Sequence, residues 1–249
     1  MLKLYQYPGA DGISSVSPPC MKIEMALRLL GVEHRVKNIT SPAEGKRVSV
    51  TGRLPVLEID GEMVPDSVEI LDRLEALYPD ARLWPAEPRD RLQDRLWDVY
   101  VTDSLYWLGF YLRWVRPDTS DRFFRALFSR RPGWMRLLIR LAYRPKQRRR
   151  GMLHGVGGKP LQVVNRQMER ALDTFVEGFA GGPYLQGRDR PGRGDLACVS
   201  LLVQPGFRDT LPETMEQIRR RPELGDHCRR VLDDCSMEHP RWIRETGDA

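Results

Sequence analysis

Ser17-Pro18-Pro19-Cys20 places a hydroxyl and a thiol directly before a helical pattern. One reading is helix initiation, with Ser17 as N-cap and Pro18 at the first helical position. The other places a thiolate over the helix start, where free backbone N–H groups and the positive dipole end favour an anion. Lowering a thiol pKa by one unit takes about 1.4 kcal/mol. One charge-assisted hydrogen bond with the dipole is of that size. Cys20 stands one turn into the helix, so a buried structural thiol is expected there rather than a nucleophile. It has no CxxC partner, because Ser17 holds that place. Ser15 replaces Ser17 if the loop from Pro8 to Val16 shifts the register. Two more groups carry possible chemistry. Arg53-Leu54-Pro55 reads as a turn entering a strand. Asp66-Ser67 reads as a helix cap, with Glu69 completing a capping box, or as an anion site in which Ser67 and its N–H bind a carboxylate.

The elements that position these groups follow from periodicity. "LKLYQY" is short and β-prone and ends at Pro-Gly, so it predicts a strand. Ile23, Ala26, Leu27 and Leu30 recur at helical spacing, and Gly31 stops the run. "EHRVKNI", "PVLEID" and "GEMVP" predict strands, the last two joined through the turn at Asp60-Gly61. Val68, Leu71, Leu74 and Leu77 mark a helix ending near Pro79. The order β-α-β-(short α)-β-β-α predicts a small mixed sheet over residues 1–79. Three prolines in "YPDARLWPAEPRD" mark a linker, residues 80–90. Residues 91–249 predict only helices and loops. They begin with a long helix from Arg91 to Trp114. Further helices are expected at Arg122–Phe128, Pro132–Tyr143, Leu161–Phe179, Asp195–Val203, Pro212–Arg220 and Pro222–Asp234.

The totals narrow the function. With 249 residues, 41% hydrophobic and 30% charged, the chain fits one large or two small domains. No apolar run reaches the roughly 18 to 20 residues of a membrane span. The N-terminus does not read as a signal peptide. Four scattered cysteines suit a reducing cytoplasm better than a disulfide scaffold. The four histidines form no ligand cluster, so no metal is expected. The net charge of +6 is uneven: residues 113–150 hold 13 Lys and Arg against Asp118 and Asp121, a balance of 13 − 2 = +11, leaving 6 − 11 = −5 elsewhere. Such a run suits first a solvated helix, then an anionic membrane surface, and nucleic acid last. "HGVGGKP" is no phosphate loop, since Pro160 replaces the required hydroxyl.

The whole is similar to the glutathione transferase superfamily. "SPPCMKIEMALRLLG" resembles the family's first-helix motif, with Ser, Cys or Tyr at or before the helix start. "GRLPVLEIDGEMVPDSVEILDRLEALYP" resembles its Leu-Pro-Val-Leu, turn, acid-Ser and Tyr-Pro pattern. "GGPYLQGRDRPGRGDLACVSLL" resembles the core helix of the second domain, with its aspartate at Asp195. "YWLGFYLRW" and "GMLHGVG" are similar to the branch of metaxins and Fax-like proteins. Three departures stand out: Gly192 in place of a capping Ser or Thr, a long loop from Pro8 to Val16, and the basic segment.

The resemblance implies an α/β thioredoxin-like first domain and an all-α second domain. It implies glutathione as co-substrate, with Ser17 (or Ser15) hydrogen-bonded to its sulfur. It implies a cis Leu54–Pro55 bond, with Leu54 backbone groups pairing with glutathione as an added strand. Arg53 would reach the glycine carboxylate, Ser67 the γ-glutamyl carboxylate and Asp66 the ammonium, and Pro19 would line the same groove. A small hydrophobic electrophile would lie against Trp107, Tyr111 and Trp114. A homodimer is implied as well. The rival functions are a non-catalytic or membrane-associated module of this fold and a glutathione-dependent thiol reductase using Cys20.

Overall fold

The computed structural model describes residues 1–129 and 131–246. The sheet has the order β2-β1-β3-β4, formed by β1 (Leu2–Gln6), β2 (His34–Asn38), β3 (Val56–Ile59) and β4 (Glu62–Pro65). Helix α1 (Pro18–Leu29) is the crossover that makes β1 and β2 parallel. Antiparallel β3 and β4 join through Asp60 and Gly61, both at positive φ, as a tight hairpin requires. α2 (Pro42–Val48) is the short helix, and α3 (Ser67–Leu77) packs on the sheet beside α1. These elements are the thioredoxin-like domain expected from the sequence.

The helical domain begins at α4 (Pro88–Val99). The run continues through residues Tyr100–Leu105, α5 (Tyr106–Phe110) and residues Tyr111–Val115. It thus starts and ends close to the expected long helix. Tyr100–Leu105 and Tyr111–Val115 are wound wider, with i→i+5 bonding, a device often found beside functional sites. Then follow α6 (Pro117–Leu127), α7 (Gly133–Leu153), α8 (Leu161–Gly178), α9 (Arg193–Leu202), α10 (Pro212–Arg219), α11 (Pro222–Asp234) and α12 (Arg241–Thr246). α7 runs ten residues beyond the expected stop at Tyr143, passing through Pro145. Proline removes one helical hydrogen bond. Contacts on both sides of it hold the helix: Tyr143 packs edge-on to Trp114, Arg144 pairs with Asp121, and Arg150 lies over Trp107.

Every residue of α9 is buried, and Gly192 offers no side chain to cap it. Asp94 of α4 performs that task from another helix, accepting the N–H groups of Arg193 (3.0 Å) and Gly194 (2.9 Å). A Cβ at residue 192 would lie 2.5 Å from both Asp94 oxygens. Glycine is therefore the residue that admits this cap. Asp195 accepts from the N–H groups of Leu185 and Gly192. Burial nevertheless pushes its carboxyl up to about 7.

A buried ionic seam joins the domains. Lys22 of α1 donates to Asp98 of α4 at 2.6 Å, and both are fully buried. The other oxygen of Asp98 receives the buried Arg193 of α9 at 2.9 Å, and Arg193 also reaches Asp72 of α3 at 2.6 Å. Asp98→Asn should lower the unfolding free energy by about 3–5 kcal/mol, because it strips a charge from a pair of buried cations. Urea unfolding of the full chain against wild type measures this, and a loss under about 1 kcal/mol would contradict it.

Candidate functional site

The site is built around the start of α1. The loop before it is pinned from several directions. Ser15 is buried; its hydroxyl donates to the carbonyl of Tyr7 at 2.7 Å and accepts the N–H of Ser17 at 3.2 Å. Gln204 donates to the carbonyl of Ser15, and Arg113 to that of Val16. Asp11 pairs with Arg208, while Gly12 lies close to the carbonyl of His239, where a Cβ would stand at 2.5 Å. These contacts hold the long loop in one place.

Ser15 is thus occupied in clamping the loop. Ser17 is half-buried and occupies the N-cap position with extended backbone, but its side chain makes no capping hydrogen bond. Pro18 and Pro19 have no N–H, and the Met21 N–H bonds the carbonyl of Ser17. Cys20 N–H is the first-turn donor left without a backbone partner among the described residues. Two prolines thin out the donors that a helix start normally offers an anion. Cys20 is fully buried, and burial pushes its thiol up to about 11 despite the neighbouring hydroxyls of Ser17 and Ser15. It is a neutral packing group at pH 7.

The fold brings the other expected residues alongside. Leu54 packs with Cys20, Tyr5 and Val56 in one apolar cluster beneath the start of α1. The Leu54–Pro55 peptide is cis. Leu54 N–H and C=O have no backbone partner among the described residues. Val56 lies opposite Pro65 in the hairpin register, which sets Asp66-Ser67 beside Leu54-Pro55. Asp66 has φ +72°, a region where a non-glycine residue is strained, and its carboxylate accepts the Val68 N–H at 2.8 Å. The expected return bond from Glu69 is not made. Ser67 is buried, with no side-chain hydrogen bond among the described residues. Arg53 is exposed and makes no ion pair among the described residues.

Facing this groove, the helical domain supplies an aromatic wall. Pro18, Pro19, Val101, Thr102 and Tyr106 line a crevice between the domains. Trp107 is half-buried, stacks on His154 with ring centroids 3.4 Å apart, and has Arg150 over its own ring at 5.0 Å. Trp114 is half-buried against Tyr143 and Phe123. Tyr111 is buried in the helical core and forms packing rather than wall. Desolvation first, and then the charges of Arg150 and Arg53, hold the His154 imidazole below its ordinary value. Sequence reasoning missed Tyr7, Arg113, Tyr143, Arg150 and His154. Burial raises the Tyr7 hydroxyl well above the ordinary tyrosine range and the Tyr143 hydroxyl above it, so both stay protonated donors. The signal for Arg113 was a lone cation inside "FYLRWV".

Comparisons with known proteins bear on the family and the fold. A family model described as the glutathione S-transferase N-terminal domain matches residues 18–119. Failed axon connections of Drosophila melanogaster is 25% identical over 257 aligned positions, 97% of this chain and 59% of that protein. This chain therefore spans little more than half the length of that relative. Among solved structures, the beta-etherase LigF of Sphingobium superposes with a TM-score of 0.63 at 20% identity, covering 99% of this chain and 98% of LigF. A rice glutathione S-transferase crystallised with glutathione gives 0.62 at 19%, covering 98% and 93%. At such identities the structural likeness establishes the fold.

The thiol chemistry yields a direct test. Cys20, Cys198, Cys228 and Cys235 are all buried, and burial raises all four thiols. A chromogenic disulfide reagent should therefore find no fast-reacting thiol in the native protein at neutral pH, and four in denaturant. Raised thiol pKa values mean the unfolded chain ionises first. The stability these neutral thiols contribute is complete below the unfolded value of about 8.5 and, for Cys20, lost as pH rises through about 11. A fast native thiol, removed by Cys20→Ala, would refute the placement.

Proposed function

We propose that this chain, which belongs to the glutathione transferase superfamily, binds glutathione in its first-domain groove and activates the thiol through Ser17. The observation that carries the reading is the half-buried Ser17 at the start of α1, whose side chain makes no capping hydrogen bond, with the cis Leu54–Pro55 peptide next to Cys20 of the same helix start. In this reading Leu54 backbone groups pair with the cysteinyl unit and Ser67 with its N–H takes the γ-glutamyl carboxylate. Asp66 faces the ammonium, Arg53 takes the glycine carboxylate, and Pro19 closes the groove. That a rice relative of this fold was crystallised with glutathione supports the choice of ligand. The glutathione thiol loses its proton to solvent and its sulfur lone pair forms the S–C bond to a small electrophile. The leaving group departs with the bonding pair. Trp107 and Trp114 form the electrophile side, joined by Tyr106 and Tyr143.

Calorimetric titration with glutathione tests the reading. Binding is expected in the micromolar to millimolar range, and Ser67→Ala should weaken it by about 1–3 kcal/mol. Ser17→Ala should leave affinity nearly unchanged, raise the pKa of the bound thiol seen by thiolate absorbance, and cut turnover at neutral pH. No heat at millimolar glutathione would overturn the reading.

The second reading is a binding module of this fold without catalysis. It is favoured by the similarity over 97% of the chain to Failed axon connections, a protein whose name records no transferase activity. The thiol-reductase alternative is disfavoured by the buried, protonated Cys20. In either reading we propose a homodimer. Leu92, Leu96, Val99 and Tyr100 form an exposed stripe along α4 and its continuation, at i, i+4, i+7 and i+8. Light scattering should give twice the mass of 28.8 kDa, and Leu92→Glu with Leu96→Glu should return the monomer. A monomer at tens of micromolar wild-type protein would refute it.

A further inference from the structure

Helix α7 is turned the opposite way from an ordinary amphipathic surface helix. Its outward face carries Trp134 (64% exposed), Leu137 (56%), Leu138 (58%) and Leu141 (64%) at i, i+3, i+4 and i+7. Arginines on its flank and inner side reach back to α6 and the aromatic rings. Arg140 and Arg144 both pair with Asp121 of α6 at 3.0 Å, and Arg150 lies over the Trp107 and Phe110 rings. Folding would normally bury the leucines and expose the arginines. A face of this kind marks an interaction surface.

The surrounding charge selects the partner. Arg131 precedes the apolar patch, and Lys146, Arg148 and Arg149 follow it on the exposed side. None of these four cations has an ion pair among the described residues. An apolar strip bracketed by unpaired cations fits a surface with an oily interior and an anionic skin. Nucleic acid fits poorly, because the outward patch is apolar, while Arg140 and Arg144 pair with Asp121 and Arg150 rests on aromatic rings. No helix among the described residues is long and apolar enough to cross a membrane. The fit is to a helix lying in the surface plane.

We propose that α7 docks this protein onto anionic lipid bilayers. Trp134, Leu137, Leu138 and Leu141 enter the boundary between headgroups and acyl chains, while Arg131, Lys146, Arg148 and Arg149 meet lipid phosphates and carboxylates. The proposal stands apart from the glutathione chemistry, since no residue of the glutathione groove takes part.

Flotation of the full chain with phosphatidylcholine vesicles, with and without phosphatidylserine, tests it. Co-flotation should rise about tenfold or more with the anionic lipid and fall as salt is raised. Leu137→Asp with Leu141→Asp should abolish it, with the thermal melt unchanged because both side chains are exposed. Replacing Lys146, Arg148 and Arg149 by Ser should reduce flotation at least tenfold. Brominated acyl chains should quench a fluorescence component that Trp134→Phe removes. Equal flotation with both vesicle types, or wild-type flotation of the aspartate variant, overturns the proposal. So does a higher-mass assembly that the aspartate variant dissolves without any vesicle binding, which would assign the face to a second copy.

Discussion

The Asp98 carboxylate, with no exposed surface, holds Lys22 on one oxygen and Arg193 on the other. Three helices from two domains meet at this one group. Buried charges are costly to desolvate, and such a site persists only when every partner is in place. The arrangement therefore admits one relative placement of α1, α4 and α9. Because Lys22 is five residues past Ser17, fixing Lys22 fixes the start of α1. Asp94, one turn before Asp98 on α4, caps α9 in the same stroke. Gly192 is the absence that makes room for it.

That constraint sets the chemistry available in the groove. Pro18 and Pro19 give α1 a rigid entry but remove two of the N–H groups an anion would use. A helix dipole alone is worth about 0.3–1 kcal/mol near its end, short of one pKa unit. In the proposed reading a hydroxyl donor makes up the difference, and Ser17, beside the Cys20 thiol and not committed to the cap, is the hydroxyl placed to do so. Ser15 is not, since it holds Tyr7 and Ser17 in register. The same packing that orders this elbow buries Cys20, and a thiol deprived of water stays protonated.

Much of this was legible in the sequence. The succession of strands and helices in the first domain, the Asp60-Gly61 hairpin and the helix after Asp66 follow from period and turn chemistry, which are local. Cys20 as a buried thiol follows from its place on an apolar helix. What failed was non-local. Gly192 looked like a missing cap because Asp94 lies 98 positions earlier. Tyr111 looked like a cleft wall because its neighbours Trp107 and Trp114 are half-exposed. The wider winding of Tyr111–Val115 rotates the sequence of faces and carries Tyr111 into the core. The expected helix ended at Tyr143, but it continues through Pro145 to Leu153, where contacts on both sides of the proline outweigh one lost hydrogen bond.

The basic segment shows how far composition misleads about placement. A balance of +11 over residues 113–150 suggests a solvated, self-repelling face. Instead several of its arginines serve contacts within the domain, while Arg131, Lys146, Arg148 and Arg149 stay exposed and without an ion pair among the described residues. Arg113 is buried, donates to the Gly109 and Val16 carbonyls and lies over the Phe123 ring. Arg116 bridges Asp118 and Glu213. Arg140 and Arg144 share Asp121, and Arg150 rests on aromatic faces. Guanidinium suits such positions, being weakly hydrated and planar, with donors in a fixed fork. The cations serve as struts between α6, α7 and the helical run, while the remaining chain at −5 supplies attraction that salt screens beyond about 8 Å. Spending arginine inward leaves leucine to face outward, so charge and hydrophobicity exchange their usual sides along α7.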